Sequence, residues 1–166
     1  IVPTGYVKKA DITYDTFSKR VNKVQLTNNI STSYLWDYNN SYPVAKVDNA
    51  SPTDVAATSF EFDGKGNWNY SGATYSDIAV KTGTKYYRLN GGNITKSITA
   101  GTYKLEYWAK TAVTLSGGTI TSIRTSSADA NGWILYEFKV TTASTVTLTL
   151  SGTAYIDELR LYPINA

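Results

Sequence analysis

From Ala100 to Pro163 apolar and polar residues alternate with a period of two, a rhythm that side chains follow in strands and not in helices. Tyr103, Leu105, Tyr107 and Ala109 fall on one face, and Lys104, Glu106, Trp108 and Lys110 on the other. Ile134, Tyr136, Phe138 and Val140 make a second apolar face. Val146, Leu148 and Leu150 make a third, with Thr145, Thr147 and Thr149 outward. Asp157, Leu159 and Leu161 make the last, opposite Glu158, Arg160 and Tyr162, so the Asp157 side chain is expected to point inward. Turn signals separate the runs: Asn90-Gly91-Gly92-Asn93, Ser116-Gly117-Gly118, Asp129-Ala130-Asn131-Gly132 and Ser151-Gly152. Glycine and β-branched residues are too dense for helices. Short strands joined by such turns predict an antiparallel sandwich or barrel.

Composition narrows the function. The chain's 166 residues suffice for one domain with a proper core. Only 17% are charged, so its polarity rests on Thr, Ser, Asn and Tyr, which suit solvated β faces and turns. The 14 tyrosines and 4 tryptophans exceed what one β core is expected to use. The net charge of +3 is scattered, with Lys8-Lys9 and Lys19-Arg20 as the adjacent basic pairs, so no stripe follows a phosphate backbone and nucleic acid is not an expected partner. No apolar run approaches the ~20 residues that span a bilayer, so membrane insertion is not expected. Cysteine is absent, which removes disulfides, thiolate metal sites and cysteine nucleophiles. Histidine is absent too, and with it the commonest general base. A chain that starts at Ile1 without Met is expected to be a processed form or a piece of something larger.

The first 50 residues read differently. Ile12–Asp15, Lys23–Thr27, Ser33–Trp36 and Val44–Val47 are expected strands, with a turn at Asn28-Asn29 and a loop over Asp37–Pro43. Asp48–Asp54 has linker character, which divides the chain into a β-rich segment, 1–50, and a sandwich, 51–166.

Five motifs stand in order along the second part: Ser59-Phe60-Glu61 with Trp68; Gly83 with Tyr87-Arg88-Leu89; Ala100-Gly101-Thr102-Tyr103 with Tyr107-Trp108-Ala109-Lys110; Gly132-Trp133 with Tyr136 and Phe138; and Tyr155-Ile156-Asp157-Glu158-Leu159. In this order they resemble the galactose-binding-like jelly-roll carbohydrate-binding modules of the CenC type, families 4, 9 and 22. Tyr14-Asp15, Thr32–Asn39 and Tyr42–Val47 resemble segments of the RHS/YD-repeat surface proteins of Bacteroidetes. The two resemblances imply an all-β fold, an antiparallel jelly-roll β-sandwich behind a short β-rich segment. They also imply part of a large bacterial secreted or cell-surface polypeptide that binds a polysaccharide or glycan. The same fold also serves as a structural or adhesive spacer without a sugar site.

The resemblance implies a structural calcium held by Glu61 and Asp157, with backbone carbonyls from around Lys81 to Lys85. Calcium takes hard oxygen ligands in irregular geometry, so carboxylates distant in sequence can share it. The alternative is that backbone N–H groups cap both carboxylates. For the sugar, Trp108 is the leading platform: an aromatic ring on the non-core face, flanked by Glu106 and Lys110. Trp68, Tyr70 and Tyr75 are rim candidates, against core packing for Trp68 and an N-terminal cover for Trp108. Trp133, after a turn, reads as core. Glu106 and Glu137 are the one conceivable catalytic pair, but they read as cross-strand partners of Lys residues. An enzyme is not expected.

Overall fold

The computed structural model describes residues 5–27 and 29–166. Among these residues the regular elements are strands, with short 3-10 turns at Pro52–Asp54 and Leu89–Gly91. No helix is long and apolar enough to cross a membrane.

The N-terminal segment is a four-stranded antiparallel meander: β1 (Ala10–Tyr14), β2 (Val21–Leu26), β3 (Ser31–Asp37) and β4 (Tyr42–Asp48), each paired with the next. Each expected strand falls inside or within a residue of one of these. Asn28, half of the expected β2–β3 turn, lies outside the described residues. The expected loop before β4 contracts to a tight turn. Tyr38, Asn39 and Asn40 all take left-handed backbone, with φ of 53°, 54° and 58°, and the Ser41 amide closes the turn on the Asp37 carbonyl at 3.0 Å. Asparagine tolerates that conformation better than most residues, which is why a pair of them sits here.

The rest is an antiparallel sandwich. Its strands are β5 (Ala56–Thr58), β6 (Thr74–Tyr75), β7 (Tyr86–Arg88), β8 (Ile94–Ile98), β9 (Gly101–Ala109), β10 (Thr114–Ser116), β11 (Thr119–Thr125), β12 (Ile134–Thr142), β13 (Val146–Ser151) and β14 (Tyr155–Pro163). The larger sheet runs β11-β12-β9-β14-β7-β6, with β5 also paired to β14; the smaller runs β10-β13-β8. Leu105, Tyr107, Ile156, Leu159 and Leu161 from the large sheet meet Ile94, Ile98, Leu148 and Leu150 from the small one in a single buried cluster. Alternation dictates this layering, because each strand has one apolar face and only a second sheet can cover it.

Two of the described strands of the sandwich break their own alternation. In β14 the register to β9 shifts between Asp157 and Arg160, and Glu158 takes a left-handed φ of 51°. This bulge lets β14 pair with β7 at Tyr155 and Ile156 and with β5 from Leu159 to Leu161. It also reverses the expected direction of Asp157. That residue sits opposite Trp108, so it shares the outer face and not the phase of Leu159 and Leu161. In β11 a second shift lies between Ser122 and Arg124.

The meander is fastened to the sandwich. The buried Asp37 carboxylate accepts the Gly64 amide at 2.8 Å, and Tyr38 meets Phe62 edge to face at 5.1 Å. Ser33 Oγ donates to the Ala50 carbonyl at 2.6 Å, above a small cluster of Leu35, Ala50 and Val55. Gly66, at φ 57°, lies so close to β5 that a Cβ there would stand 1.6 Å from the Ala57 carbonyl oxygen. Only glycine fits that approach.

Candidate functional site

Trp108 does project from the outer face of the large sheet, half-buried, with one face of its ring covered. Lys81 Nζ stands 3.6 Å from the ring centroid and forms an ion pair with Asp129 at 3.0 Å. Asp129 also accepts the Trp133 amide. That bond and Lys81 together hold its carboxyl below the usual range. The cover is the 77–85 loop, not the N-terminal segment that was the expected alternative.

Asp157 and Glu61 hold that loop. Asp157 is fully buried beneath it and accepts the Lys81 and Thr82 amides on one oxygen, at 3.0 and 3.1 Å, and the Glu158 amide on the other at 2.8 Å. Desolvation outweighs these donors and pushes its carboxyl up to about 6. Glu61 accepts from Thr84 N at 2.6 Å, from Thr84 Oγ1 at 2.8 Å, and from the Lys85 amide. Burial works against its charge, yet these donors prevail and hold it below the ordinary value. Both carboxylates therefore latch the loop by accepting its donors, the backbone capping that was the alternative to a calcium. Among the described residues no group of three or more carboxylates gathers as a metal site.

The remaining sugar candidates scatter. Trp68 and Tyr70, expected at an exposed rim, are 4% and 8% exposed and belong to the core, where Tyr70 packs edge to face on Phe60 and Tyr87. Asn67–Tyr70 was expected to be a loop at the rim, but Asn69 bridges to Thr95 of β8 and Tyr70 packs on Tyr87 of β7. Tyr75 is half-buried, with the Arg88 guanidinium 4.1 Å from its centroid. Lys110 lies over Trp133, which is fully buried with its indole N–H on the Ala79 carbonyl.

Glu106 belongs to a charge ladder across the sheet. Arg124, Glu137, Glu106 and Arg160 stand opposite one another in successive strands. Lys104 bridges both carboxylates, at 3.1 Å to Glu106 and 2.6 Å to Glu137. Lys104 is the main cause holding the Glu137 carboxyl below its usual range. Arg124 adds an ion pair to Glu137 at 2.6 Å and Arg160 one to Glu106 at 3.6 Å, so both carboxylates sit among cross-strand cations.

The opposite face of the same sheet holds an arrangement the sequence reading missed. Tyr107, Tyr136 and Phe138 form a triangular cluster on the inner face. Tyr136 and Phe138 are parallel to within 4°, with centroids 6.4 Å apart, and Tyr107 stacks on Tyr136 at 5.4 Å. Tyr107 is fully buried, but Tyr136 and Phe138 are only half-buried, because β12 lies beside the sheet's last strand. The register places Ser122 beside Phe138 and Thr125 beside Tyr136, both exposed. The Tyr107 hydroxyl is buried with no hydrogen-bond partner among the described residues. Periodicity assigned all three rings to the core and could not signal that the small sheet leaves two of them partly open.

No described family, curated protein or solved structure matches this chain.

Proposed function

We propose that the chain is a non-catalytic carbohydrate-binding β-sandwich of jelly-roll type, part of a larger bacterial secreted or cell-surface polypeptide, and that the glycan lies on the inner face of the large sheet at its β11–β12 side. The parallel, half-buried Tyr136 and Phe138 rings carry this reading. The C–H faces of a pyranose pack on such rings, and the Ser122 and Thr125 hydroxyls beside them suit its hydroxyl groups. Trp108 lies on the other face of the sheet, with Lys81 over one side of its ring, and is not assigned to this platform. The bridged state of Glu106 and Glu137 favours binding without hydrolysis.

The second reading is a structural or adhesive spacer. The observation that favours it is the tight fastening of the meander to the sandwich through Asp37 and Gly64. A glycan array separates the two. Wild type and Trp108→Ala are expected to retain the same glycans, while Tyr136→Ala and Phe138→Ala each lose about tenfold in affinity, the equivalent of ~1.4 kcal/mol. Retention of no glycan, or loss in Trp108→Ala alone, would sink the proposal.

A further inference from the structure

The meander ends in a strand edge without a partner strand among the described residues. β1 pairs with β2 on one side alone, and its Ile12 and Tyr14 are 52% and 54% exposed. The ladder fixes which backbone groups face outward. The Thr27 amide donates to the Lys9 carbonyl at 2.9 Å, and the Asp15 amide to the Arg20 carbonyl at 2.8 Å. Lys9, Asp11, Thr13 and Asp15 therefore turn their N–H and C=O groups toward the β2 side, and Ala10, Ile12 and Tyr14 turn theirs to the free edge. The register shift beside Tyr14 comes from an extra residue on β2, Asn22, so β1 itself runs unbroken.

The other edges described above are protected. β11 carries a register break and Arg124, and β4 packs Val44, Ala45 and Val47 on the Leu35 cluster. Ala10–Tyr14 has neither proline nor lysine, and its one charge is Asp11. Across the ladder Ile12 stands beside Val24 and Ala10 beside Leu26, which gives the edge an apolar flank on one face of the sheet. An edge of this kind is a template for another strand.

Charge selects a second β1 as that strand. In a two-fold antiparallel pair the free edges meet, so Ala10, Ile12 and Tyr14 must oppose one another. A register with Ala10 opposite the partner's Ile12 sets Asp11 against Asp11. A register with Ile12 opposite the partner's Tyr14 sets Asp11 against Asp15, which stays ionised because the Ser18 amide leads in holding its carboxyl below the usual range. Larger shifts leave a single strand residue in the overlap. The register with Ile12 opposite the partner's Ile12 aligns the whole strand and separates the acids. It also brings Lys9, one step before the strand, opposite the partner's Asp15, one step beyond it.

We propose that β1 is the contact of a two-fold dimer of this chain, formed by antiparallel pairing with β1 of a second copy about Ile12. A single short strand pair falls below the usual size of a stable interface, so the dimer is weak and depends on concentration.

Sedimentation velocity on the full chain tests it. The sedimentation coefficient is expected to rise between about 10 µM and 1 mM. Ile12→Pro removes an outward N–H and no bond of the β1–β2 ladder, and is expected to weaken association at least tenfold. Asp11→Pro removes a ladder bond, and is expected to lower the denaturation midpoint of the dilute chain more than Ile12→Pro does. Lys9→Glu sets like charges opposite each other and is expected to weaken association severalfold at low salt. The chain has no cysteine, so Ile12→Cys reports the register directly. Position 12 then opposes itself at about 5.5 Å between Cα atoms, which a disulfide can span. Mild oxidation is expected to link Ile12→Cys into covalent dimers and to leave Ile123→Cys, exposed on β11, far less linked. A chain that stays monomeric to about 1 mM would overturn the proposal. So would association unchanged in Ile12→Pro or Lys9→Glu, equal linking of the two cysteine variants, or a midpoint as low in Ile12→Pro as in Asp11→Pro.

Discussion

Asp157 carries the clearest single-residue consequence. Its carboxyl rises to about 6 in the folded chain, above its ordinary value of 3.8, because burial outweighs three backbone donors. The folded state therefore holds the proton more tightly than the unfolded state does. Its contribution to stability is fully present below about pH 4 and falls as pH rises through about 6, by roughly 3 kcal/mol in all. Glu61 and Asp129, held below their ordinary values, act in the opposite sense at lower pH, so the residue is read by difference. Urea melts of wild type and Asp157→Asn between pH 4 and 7 are expected to show a downward slope in wild type that the variant lacks. The same melts at pH 7 with calcium and with EDTA are expected to coincide, because three backbone amides already latch the loop to Asp157 without a metal; a midpoint raised by calcium would assign the carboxylate a cation.

At the scale of elements, the 77–85 loop is a cover tied down along its second half: at Lys81 and Thr82 by Asp157, and at Thr84 and Lys85 by Glu61. Lys81 adds a contact with the Trp108 ring and an ion pair with Asp129. Lys81→Ala is expected to destabilise the fold by about 1 kcal/mol and to raise acrylamide quenching of tryptophan fluorescence. The added quenching should vanish in the Lys81→Ala/Trp108→Phe double variant; quenching equal to wild type would mean that the loop covers the ring without Lys81. This element also shows where reading the sequence stops. Alternation placed Trp108 on the outer face correctly, because the period of a strand is a local property. It could not show that a loop starting about 30 residues upstream lies over the ring. The faces of β9, β12 and β13 were legible for the same reason. Asp157 was misplaced because a bulge adds one residue and reverses every phase beyond it. β11 was not anticipated: its sequence is mostly Thr and Ser, and Ile120 and Ile123 stand three apart, out of step with a period of two, with Ile123 at the register break. Trp68 and Tyr70 were misplaced because a polar-flanked aromatic reads as exposed until the strands that close over it are known.

At the scale of the whole molecule, meander and sandwich share buried polar contacts and are expected to unfold together. Asp37 is the pivot, since its carboxylate satisfies the Gly64 and Tyr38 amides from within the joint. Asp37→Ala leaves both amides without that partner and is expected to cost about 2–3 kcal/mol. Hydrogen exchange should show protection falling first in β3 and β4 while β9 and β12 keep theirs; a uniform loss would mean that the joint carries no separate weight. Crowded molecules meet edge first, and β11 is the outer strand of the large sheet. Its register break between Ser122 and Arg124 and its exposed Arg124 deny an incoming strand an unbroken row of partners. The irregularity that hid this strand from periodicity is thus also a guard against aggregation, placed beside the half-open aromatic rings that would otherwise invite it.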